Sequence, residues 1–161
     1  MSTRLVIFDR DKTLIEDNGY TFKVSDLKWR PGVIELLRYL SIMQVDLAVA
    51  TNQSGIGRNY FTTSQVNEFH LEMSSYLSRI GIPEMTFFVC PHDPTKTNCQ
   101  CRKPKPGLLI EAMNYYGVRC DETIFVGDKL TDAQAASSAK VDFVWVSDSP
   151  QWSNELLRML K

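Results

Sequence analysis

Residues 5–13 read LVIFDRDKT, so that four apolar residues are followed at once by two carboxylates standing two positions apart. A short apolar run of this kind predicts a buried strand over Leu5–Phe8. If the backbone remains extended beyond Phe8, the side chains of Asp9 and Asp11 project on the same side. Phosphoryl transfer uses such a pair, because one carboxylate can attack phosphorus while the other protonates the leaving oxygen and later activates water. A loop with two solvated aspartates is the alternative interpretation of this stretch on its own.

Four further apolar runs alternate with helical periodicity along the chain and predict strands over residues 45–50, 85–89, 123–126 and 143–146. This alternation is typical of repeated βα units. It predicts a Rossmann-like α/β fold, a three-layer sandwich around a mostly parallel central sheet. With 161 residues and no repeat, low-complexity tract or linker, the sequence predicts one domain over residues 1–161.

Between the strands, apolar residues recur three or four positions apart, as on one face of a helix. The first predicted helix lies behind Pro31, and the second carries a stripe from Val66 to Ile80 and is stopped by Gly81 and Pro83. The third is expected to begin at Pro106, to bury residues up to Tyr116 and to end at Gly117. A fourth should run from a cap at Thr131 to Ala139, and a closing amphipathic helix should cover residues 150–160.

Three irregular stretches, residues 16–29, 51–61 and 90–106, each follow a predicted strand. In open parallel sheets, ligands bind outside the carboxyl ends of the strands, so these loops should converge on one site. Thr51 and Asn52 offer a hydroxyl and an amide that can hydrogen-bond a phosphoryl oxygen, and Arg102 and Lys103 supply cations. A polar turn for the first pair, and a solvated basic loop for the second, are the alternatives.

A second pair of carboxylates, Asp128 and Asp132, follows the fourth predicted strand at a spacing of four. If a helix begins there they share one face, and like charges so close need a cation or a lysine between them. We expect Asp128 to bind Mg²⁺ together with the Asp9 carboxylate, because magnesium prefers oxygen ligands and keeps several waters. Asp132 is assigned a supporting position, orienting Lys103.

The composition is that of an ordinary globular domain, with 43% hydrophobic and 23% charged residues. The formal net charge of −1 argues against nucleic acid or an anionic membrane surface as a partner. No apolar run approaches the roughly 18 residues of a membrane span, and the N-terminal residues carry no signal-peptide pattern. We therefore expect a cytoplasmic, monomeric enzyme whose phosphate chemistry is local.

Three of the four cysteines lie beside a histidine in one segment. Cys90, His92, Cys99 and Cys101 supply three sulfurs and one imidazole within twelve residues, a set that satisfies tetrahedral structural zinc. Such an ion would stabilise a loop with little core of its own and hold the basic residues after it at the phosphate site. Buried apolar cysteines or a redox pair are the alternatives, and Cys120, far from the cluster, is expected to be an ordinary thiol.

Together these motifs resemble those of the haloacid dehalogenase superfamily, whose first motif is Asp-x-Asp-x-Thr after strand one. The resemblance covers nearly the whole chain. It implies that Asp9 is the nucleophile and forms an aspartyl-phosphate, and that Asp11 is the general acid and base and completes the magnesium site with its main-chain carbonyl. It further implies that Thr51 holds the transferring phosphoryl group and that Lys103 neutralises its oxygens. The family usually has Gly where this chain has Lys12, and Lys adopts a positive φ less cheaply.

The cysteine loop makes the chain similar to one capless branch of the superfamily, which contains the histidinol-phosphate phosphatases and the D-glycero-D-manno-heptose 1,7-bisphosphate 7-phosphatases. The stretches DNGY at 17–20 and TNQSGIGR at 51–58 look like the substrate loops of the heptose enzymes, although a simple Asn-Gly turn is the alternative for the first. The resemblance implies hydrolysis of the 7-phosphate of that heptose bisphosphate, in nucleotide-activated heptose synthesis for the lipopolysaccharide core. The substrate-binding residues that it implies are Asp17, Asn18, Gly19, Tyr20, Asn52, Gln53, Ser54, Arg102 and Lys129, with Arg102 facing the second phosphate.

Three other interpretations stay open at this point. Histidinol phosphate is the alternative substrate, although its phosphatases typically carry Asp at the position of Ser54. A catalytically impaired, zinc-stabilised binding domain is the alternative of another class, and Lys12 is the sequence feature that suggests it. A polynucleotide 3'-phosphatase shares the first motif, but it lacks this cysteine loop and would need a basic groove that the composition does not supply.

Overall fold

The computed structural model describes residues 2–149 and 151–160. Its centre is a five-stranded sheet in the order β3-β2-β1-β4-β5, and every neighbouring pair runs parallel. The strands are β1 (Leu5–Phe8), β2 (Asp46–Asn52), β3 (Thr86–Cys90), β4 (Thr123–Gly127) and β5 (Asp142–Trp145). Each lies where an apolar run predicted it, and β1 has the predicted bounds. The DRDKT segment after β1 therefore stands at the middle of the sheet, with strands on both sides.

The described residues contain six helices, of which five lie between strands and the last follows β5. They are α1 (Val33–Ile42), α2 (Ser54–Gly57), α3 (Thr63–Arg79), α4 (Gly107–Tyr116), α5 (Leu130–Ala139) and α6 (Gln151–Met159). Two 3₁₀ turns lie at Val24–Asp26 and Cys120–Glu122. Among the described residues, no helix is both long enough and apolar enough to cross a bilayer.

The sheet separates two apolar cores. Val6 and Phe8 of β1 point into the core that contains apolar residues of α1, α3 and α6. Leu5 and Ile7 point into the opposite core, with residues of α4 and α5. Because helices cover both faces, all four residues of β1 are fully buried, as expected for a parallel strand. This arrangement confirms the predicted three-layer α/β sandwich.

β2 extends further toward its carboxyl end than its apolar run indicated. Thr51 and Asn52 still pair with Val89 and Cys90 of β3. The ladder continues past the last apolar residue because β3 is still extended beside it, whereas β1 has already ended. Thr51, which we expected to open a loop, therefore projects from a rigid strand and is fully buried.

The ends of α4 follow the prediction, and the start of α5 corrects it. α4 follows Pro106 and ends at Gly117, which takes a left-handed φ of 63°. α5 begins at Leu130 with Lys129, not Thr131, as the capping position. The reason is Asp132, whose Oδ2 accepts a hydrogen bond of 3.0 Å from the Lys129 main-chain N–H.

Three further details differ from the prediction. The short α2 was not predicted, since four residues carry no readable periodicity. Tyr116 is only half-buried, and its hydroxyl donates to the Leu47 carbonyl at 3.0 Å. The closing helix begins by Gln151, and Pro150, where we expected it to start, lies outside the described residues.

Candidate active site

Asp9 stays in register with the sheet, and the chain turns after it. The Asp9 main-chain N–H donates to the Val126 carbonyl at 2.8 Å, which keeps Asp9 in register with β4, and its side chain is buried. The chain then turns, because the Lys12 N–H donates to the Ile15 carbonyl at 2.9 Å. Lys12 takes a φ of 60°, the left-handed conformation that Gly adopts cheaply. The loop that usually contains Gly is thus formed with Lys, at a conformational cost of about 1 kcal/mol or more.

Lys103 lies at the centre of the buried charges. Its Nζ is 2.7 Å from Asp9 Oδ1 and 2.7 Å from Asp132 Oδ1, and all three side chains are almost completely buried. Burial by itself would lower the pKa of Lys103, but the two carboxylates outweigh it and raise the pKa. Lys103 is therefore a fixed cation beside Asp9, and Asp132 holds it there, in the supporting position that we expected.

Asp128 completes an acidic cluster that could hold a divalent cation. Carboxylate oxygens of Asp9, Asp128 and Asp132 lie within 4.8 Å of one another. Asp128 Oδ1 is buried and has no hydrogen-bond partner among the described residues. Burial and the neighbouring Asp9 raise the pKa of Asp128 to about 6. Because both oxygens of Asp132 already face Lys103 and the Lys129 N–H, Asp9 and Asp128 are the carboxylates left to bind an ion.

Asp11 makes its hydrogen bonds to residues outside that cluster. Its Oδ1 accepts from Arg10, and its Oδ2 accepts from the Gln53 side chain at 2.9 Å. The same Gln53 nitrogen lies 2.9 Å from Thr51 Oγ1. Burial raises the pKa of Asp11, Arg10 acts against this shift, and Asp9 adds to it. A carboxyl group with a raised pKa is suited to donating and accepting a proton near neutral pH.

Asn52 fixes the loop that carries Lys103. Its amide nitrogen donates to the Lys103 carbonyl at 3.1 Å, and its carbonyl oxygen accepts from the Lys103 N–H at 3.1 Å. The tip of β2 therefore holds the backbone of a residue 51 positions away. We expected Asn52 at the substrate, and the structure gives it this additional structural contact.

A cavity of about 530 Å³ opens above these residues. Seven of the nine expected substrate-binding residues line it: Asp17, Tyr20, Asn52, Gln53, Ser54, Arg102 and Lys129. A smaller cavity of about 30 Å³ adjoins it and is lined by Asp9, Asp11, Lys103 and Asp132, among others. Asn18 and Gly19 are not among the lining residues. They form a turn in which the Asp17 side chain accepts from the Gly19 N–H at 3.0 Å.

Several contacts between the loops could not be read from the sequence. The Arg58 Nη1 donates to the Tyr20 hydroxyl at 3.1 Å, and its Nε lies 3.4 Å from Asp93 Oδ1. Tyr20 also packs edge-on against Tyr60 at 5.0 Å between ring centroids. These contacts tie together the loops that follow β1, β2 and β3. The only signal in the sequence was that each loop follows a strand.

The cysteine loop brings its four candidate ligands together. Cys90 Sγ lies 3.5 Å from His92 Nδ1 and 3.6 Å from Cys99 Sγ, and Cys101 Sγ lies 3.3 Å from His92 Nδ1. All four ligand atoms fall within 4.8 Å of one another. The cysteines, including the distant Cys120, are free thiols, so the structure contains no disulfide between them. The loop contacts α2 closely, since a Cβ on Gly57 would stand 2.5 Å from the Asp93 nitrogen.

The comparisons with known proteins agree with this geometry. Residues 4–149 match the family model described as polynucleotide kinase 3 phosphatase. The chain is 37% identical, over 84% of its length and 76% of the relative, to D-glycero-beta-D-manno-heptose-1,7-bisphosphate 7-phosphatase of Photorhabdus laumondii. It is 31% identical, over 100% of its length and 92% of the relative, to D-glycero-alpha-D-manno-heptose-1,7-bisphosphate 7-phosphatase of Campylobacter jejuni.

A solved structure has the same architecture. The D,D-heptose 1,7-bisphosphate phosphatase from B. bronchiseptica, complexed with magnesium and phosphate, superimposes with a TM-score of 0.85 at 28% identity, covering 96% of this chain and 98% of that chain. The family match spans most of the sequence, and the chain covers at least 76% of each of these relatives and shares the fold of the solved one. The chain therefore belongs to the phosphatases of the haloacid dehalogenase superfamily, in the branch of the heptose bisphosphate phosphatases.

Proposed function

We propose that this protein hydrolyses the 7-phosphate of D-glycero-D-manno-heptose 1,7-bisphosphate, as a step of nucleotide-activated heptose synthesis for the lipopolysaccharide core. The observation that carries the proposal is the position of Asp9, whose carboxylate lies 2.7 Å from the Lys103 cation and within 4.8 Å of the Asp128 carboxylate. A carboxylate held in this way can face an anionic phosphate, because the Lys103 cation, together with a divalent ion bound by Asp9 and Asp128, would offset the repulsion.

The reaction has two steps on this chain's own residues. In the first, an Asp9 oxygen attacks phosphorus, the bond to the sugar oxygen breaks, and Asp11 donates a proton to that oxygen as the alcohol leaves. In the second, Asp11 takes a proton from a water molecule that attacks the phosphorus of the aspartyl-phosphate, and inorganic phosphate leaves Asp9. Thr51 and Lys103 would hold the phosphoryl oxygens through both steps.

The acidic cluster fits Mg²⁺. The oxygen donors of Asp9 and Asp128 suit a hard cation, and the buried, unpaired Asp128 Oδ1 gains a partner when one binds. The main-chain carbonyl of Asp11 is the third ligand that we expect. When bound, the ion supplies positive charge that screens Asp9 from the phosphate. The magnesium and phosphate in the B. bronchiseptica structure support this assignment.

The cysteine loop fits structural Zn²⁺. Around a tetrahedral ion with Zn–S near 2.3 Å and Zn–N near 2.0 Å, neighbouring ligand atoms stand about 3.5 to 3.8 Å apart. The distances between Cys90, His92, Cys99 and Cys101 of 3.3 to 3.6 Å agree with this spacing. Four protein ligands leave no position for water, so this ion would shape the site without taking part in the chemistry.

The walls of the cavity suit a phosphorylated sugar with a second phosphate. Asp17, Gln53 and Ser54 offer groups that hydrogen-bond hydroxyls, and the cations of Arg102 and Lys129 stand beyond Lys103. The Arg102 Nη1 is buried and has no hydrogen-bond partner among the described residues, so it is available to a phosphate oxygen. The names of the relatives support the heptose bisphosphate as the substrate.

Side-by-side turnover tests the substrate. We expect release of phosphate from both anomers of the heptose 1,7-bisphosphate with Mg²⁺, and at least about 100-fold lower kcat/KM for histidinol phosphate, which lacks the second phosphate and the polyol. The variant Arg102→Met tests the contact with the second phosphate, and it should raise KM for the bisphosphate more than for a monophosphate. Faster turnover of histidinol phosphate would contradict the proposal.

The wider setting of this activity is also a prediction. We expect a cytoplasmic monomer of one domain over residues 1–161, without nucleic acid or a membrane as a partner. Light scattering on the purified full chain measures the oligomeric state, and turnover of a 3'-phosphorylated oligonucleotide in the same assay tests the nucleic-acid alternative. A dimer would contradict the first expectation, and efficient release of phosphate from the oligonucleotide would contradict the second.

A further inference from the structure

We propose that Arg10, the residue between the two motif aspartates, is a positioning residue that makes Asp11 deliver its proton to the leaving group from one particular oxygen, Oδ2. The proposal rests on the phosphoryl transfer to Asp9 proposed above. It assigns a role to the one position of the DRD segment that has none in that reaction.

Arg10 holds one oxygen of Asp11 with two donors. Its Nε donates to Asp11 Oδ1 at 3.0 Å, and its Nη2 donates to the same oxygen at 2.8 Å. The Arg10 side chain is fully buried, with 0% of its surface exposed. A buried guanidinium is costly unless its donors are used, so these contacts fix both side chains against each other.

Arg10 is itself held from two other directions. Its Nη1 lies 3.1 Å from Nε2 of His70 on α3, and its Nη2 also donates to the Thr21 carbonyl at 2.6 Å. The guanidinium carbon lies 4.9 Å from the ring centroid of Phe69. Because Arg has no acceptor, His70 Nε2 accepts this hydrogen bond, and the ring is neutral with its proton on Nδ1. The rigid helix α3 therefore sets the position of the guanidinium.

The hydrogen bonds of Asp11 decide where its proton resides. A carboxylate oxygen has two lone-pair directions. Arg10 directs two charged donors at Oδ1 and so favours negative charge there, whereas Oδ2 accepts one hydrogen bond, from Gln53 at 2.9 Å, and has a lone pair left for a proton. When Asp11 is protonated, the proton therefore lies on Oδ2. Asp11 lines both the small cavity beside Asp9 and the substrate cavity, so the proton is carried at the reacting end of the site.

This role predicts a dependence on the leaving group. An alkoxide must be protonated as it leaves, whereas p-nitrophenolate leaves without help from an acid. A variant that retains Asp11 but loses its alignment should therefore be slow with alkyl phosphates and nearly normal with p-nitrophenyl phosphate. A general loss of structure would slow both substrates alike.

The test measures release of the leaving group in single turnovers, with enzyme in excess and Mg²⁺ present. We expect Arg10→Met to slow release from the heptose bisphosphate, and from a simple primary alkyl phosphate, by about 100-fold, while p-nitrophenol release changes by less than about 3-fold. Arg10→Lys should lie between, because it keeps the charge and loses the fork. His70→Phe should lower the ratio of the alkyl phosphate rate to the p-nitrophenyl phosphate rate by a few-fold. Arg79→Met, at an exposed arginine of α3, is the matched control and should change neither rate.

Equal slowing of the alkyl and aryl substrates in both Arg10 variants would overturn the proposal. If Arg10→Met does not fold, Arg10→Lys and His70→Phe decide the question through the same ratio. The simple alkyl phosphate separates this test from the assignment of the sugar. Wild-type protein that reacts with it, but not with the heptose bisphosphate, would contradict the proposed substrate and leave the Arg10 ratio measurable. Wild-type protein that releases neither leaving group would contradict both proposals.

Discussion

The acidic cluster and the cysteine loop are two candidate metal sites in one small protein, and they are built in opposite ways. Asp9 and Asp128 follow β1 and β4 at the middle of the sheet, above two apolar cores. The cysteine loop runs from the end of β3, an edge strand, to α4 without a helix or strand of its own. The first site is positioned by the fold, whereas the second needs its ligands to position the loop.

This difference separates chemistry from stability. Removing an ion or a side chain from the strand tips should stop the reaction and leave the fold, because the sheet does not depend on them. Removing the ion from the cysteine loop should loosen the loop and lower stability, and it should reach the reaction only indirectly, through Lys103. The predictions below test this division.

The largest expected effect is on the strand-tip side. Asp9→Asn should lower kcat by about 10⁴-fold or more, since the amide is not a nucleophile, while the melting temperature stays within a few degrees of wild type. Asp142→Asn makes the same change at the amino end of β5, away from the site, and should leave kcat unchanged. Retained turnover in Asp9→Asn would exclude Asp9 as the nucleophile.

The next effect is on the cysteine loop. Cys99→Ser should lower the zinc content well below one ion per chain and cost about 3 kcal/mol, or roughly 10 °C in melting temperature, because ligand binding to the folded state is lost. Cys120→Ser changes the one cysteine outside the cluster and should leave both quantities unaltered. Elemental analysis and thermal unfolding measure the result, and equal zinc content in the two variants would refute the ligand set.

A third effect concerns the buried histidine beneath the strand-tip site. Burial, and next Arg10, lower the pKa of His70 to about 3, far below its value in the unfolded chain. The stability that this provides is complete above the unfolded pKa and is lost as the pH falls through the range between the two values. Between about pH 7 and about pH 5.5, the loss of folding stability caused by His70 should amount to about 1.2 kcal/mol. Urea unfolding at a series of pH values measures how the free energy of unfolding changes with pH. His70→Gln should remove this part of the pH dependence, and an unchanged pH dependence would contradict the prediction.

The smallest effect should have the opposite sign from the others. Asp128→Asn should stabilise the magnesium-free protein by about 1 kcal/mol, since it removes a carboxylate that lies beside Asp9 without a donor, and this figure is reduced for partial exposure. The same variant should lose turnover. Calorimetry in the presence of a chelator measures the gain, and destabilisation by the substitution would argue against repulsion in the empty cluster.

The parts of this molecule that follow from local sequence patterns were predictable. β1 has the predicted bounds because its four apolar residues are followed at once by charges. The cysteine cluster could be read because its four ligands lie within twelve residues. The cap of α5 was misplaced by two residues because Asp132 both caps the helix and holds Lys103, and the presence of Thr131 alone does not reveal this.

The contacts between distant residues were not predictable in the same way. Arg10 and His70 are 60 positions apart, and Asn52 and Lys103 are 51 apart. A fully buried arginine is rare, so nothing in the local sequence distinguishes Arg10 from an exposed arginine in a loop. These side chains meet because the strands are parallel and their carboxyl ends lie at one edge of the sheet. The periodicity of the sequence predicts which loops meet at that edge, but not which side chains contact each other.

The most direct test of the account is to look for the phosphoryl group on Asp9. Wild-type protein is mixed with excess heptose bisphosphate and Mg²⁺, quenched in acid within one turnover, digested and analysed by mass spectrometry. We predict a peptide that contains Asp9, carries one added phosphoryl group and is absent in Asp9→Asn. Full phosphate release in the same mixture, with no phosphorylated peptide at any quench time, would contradict the account.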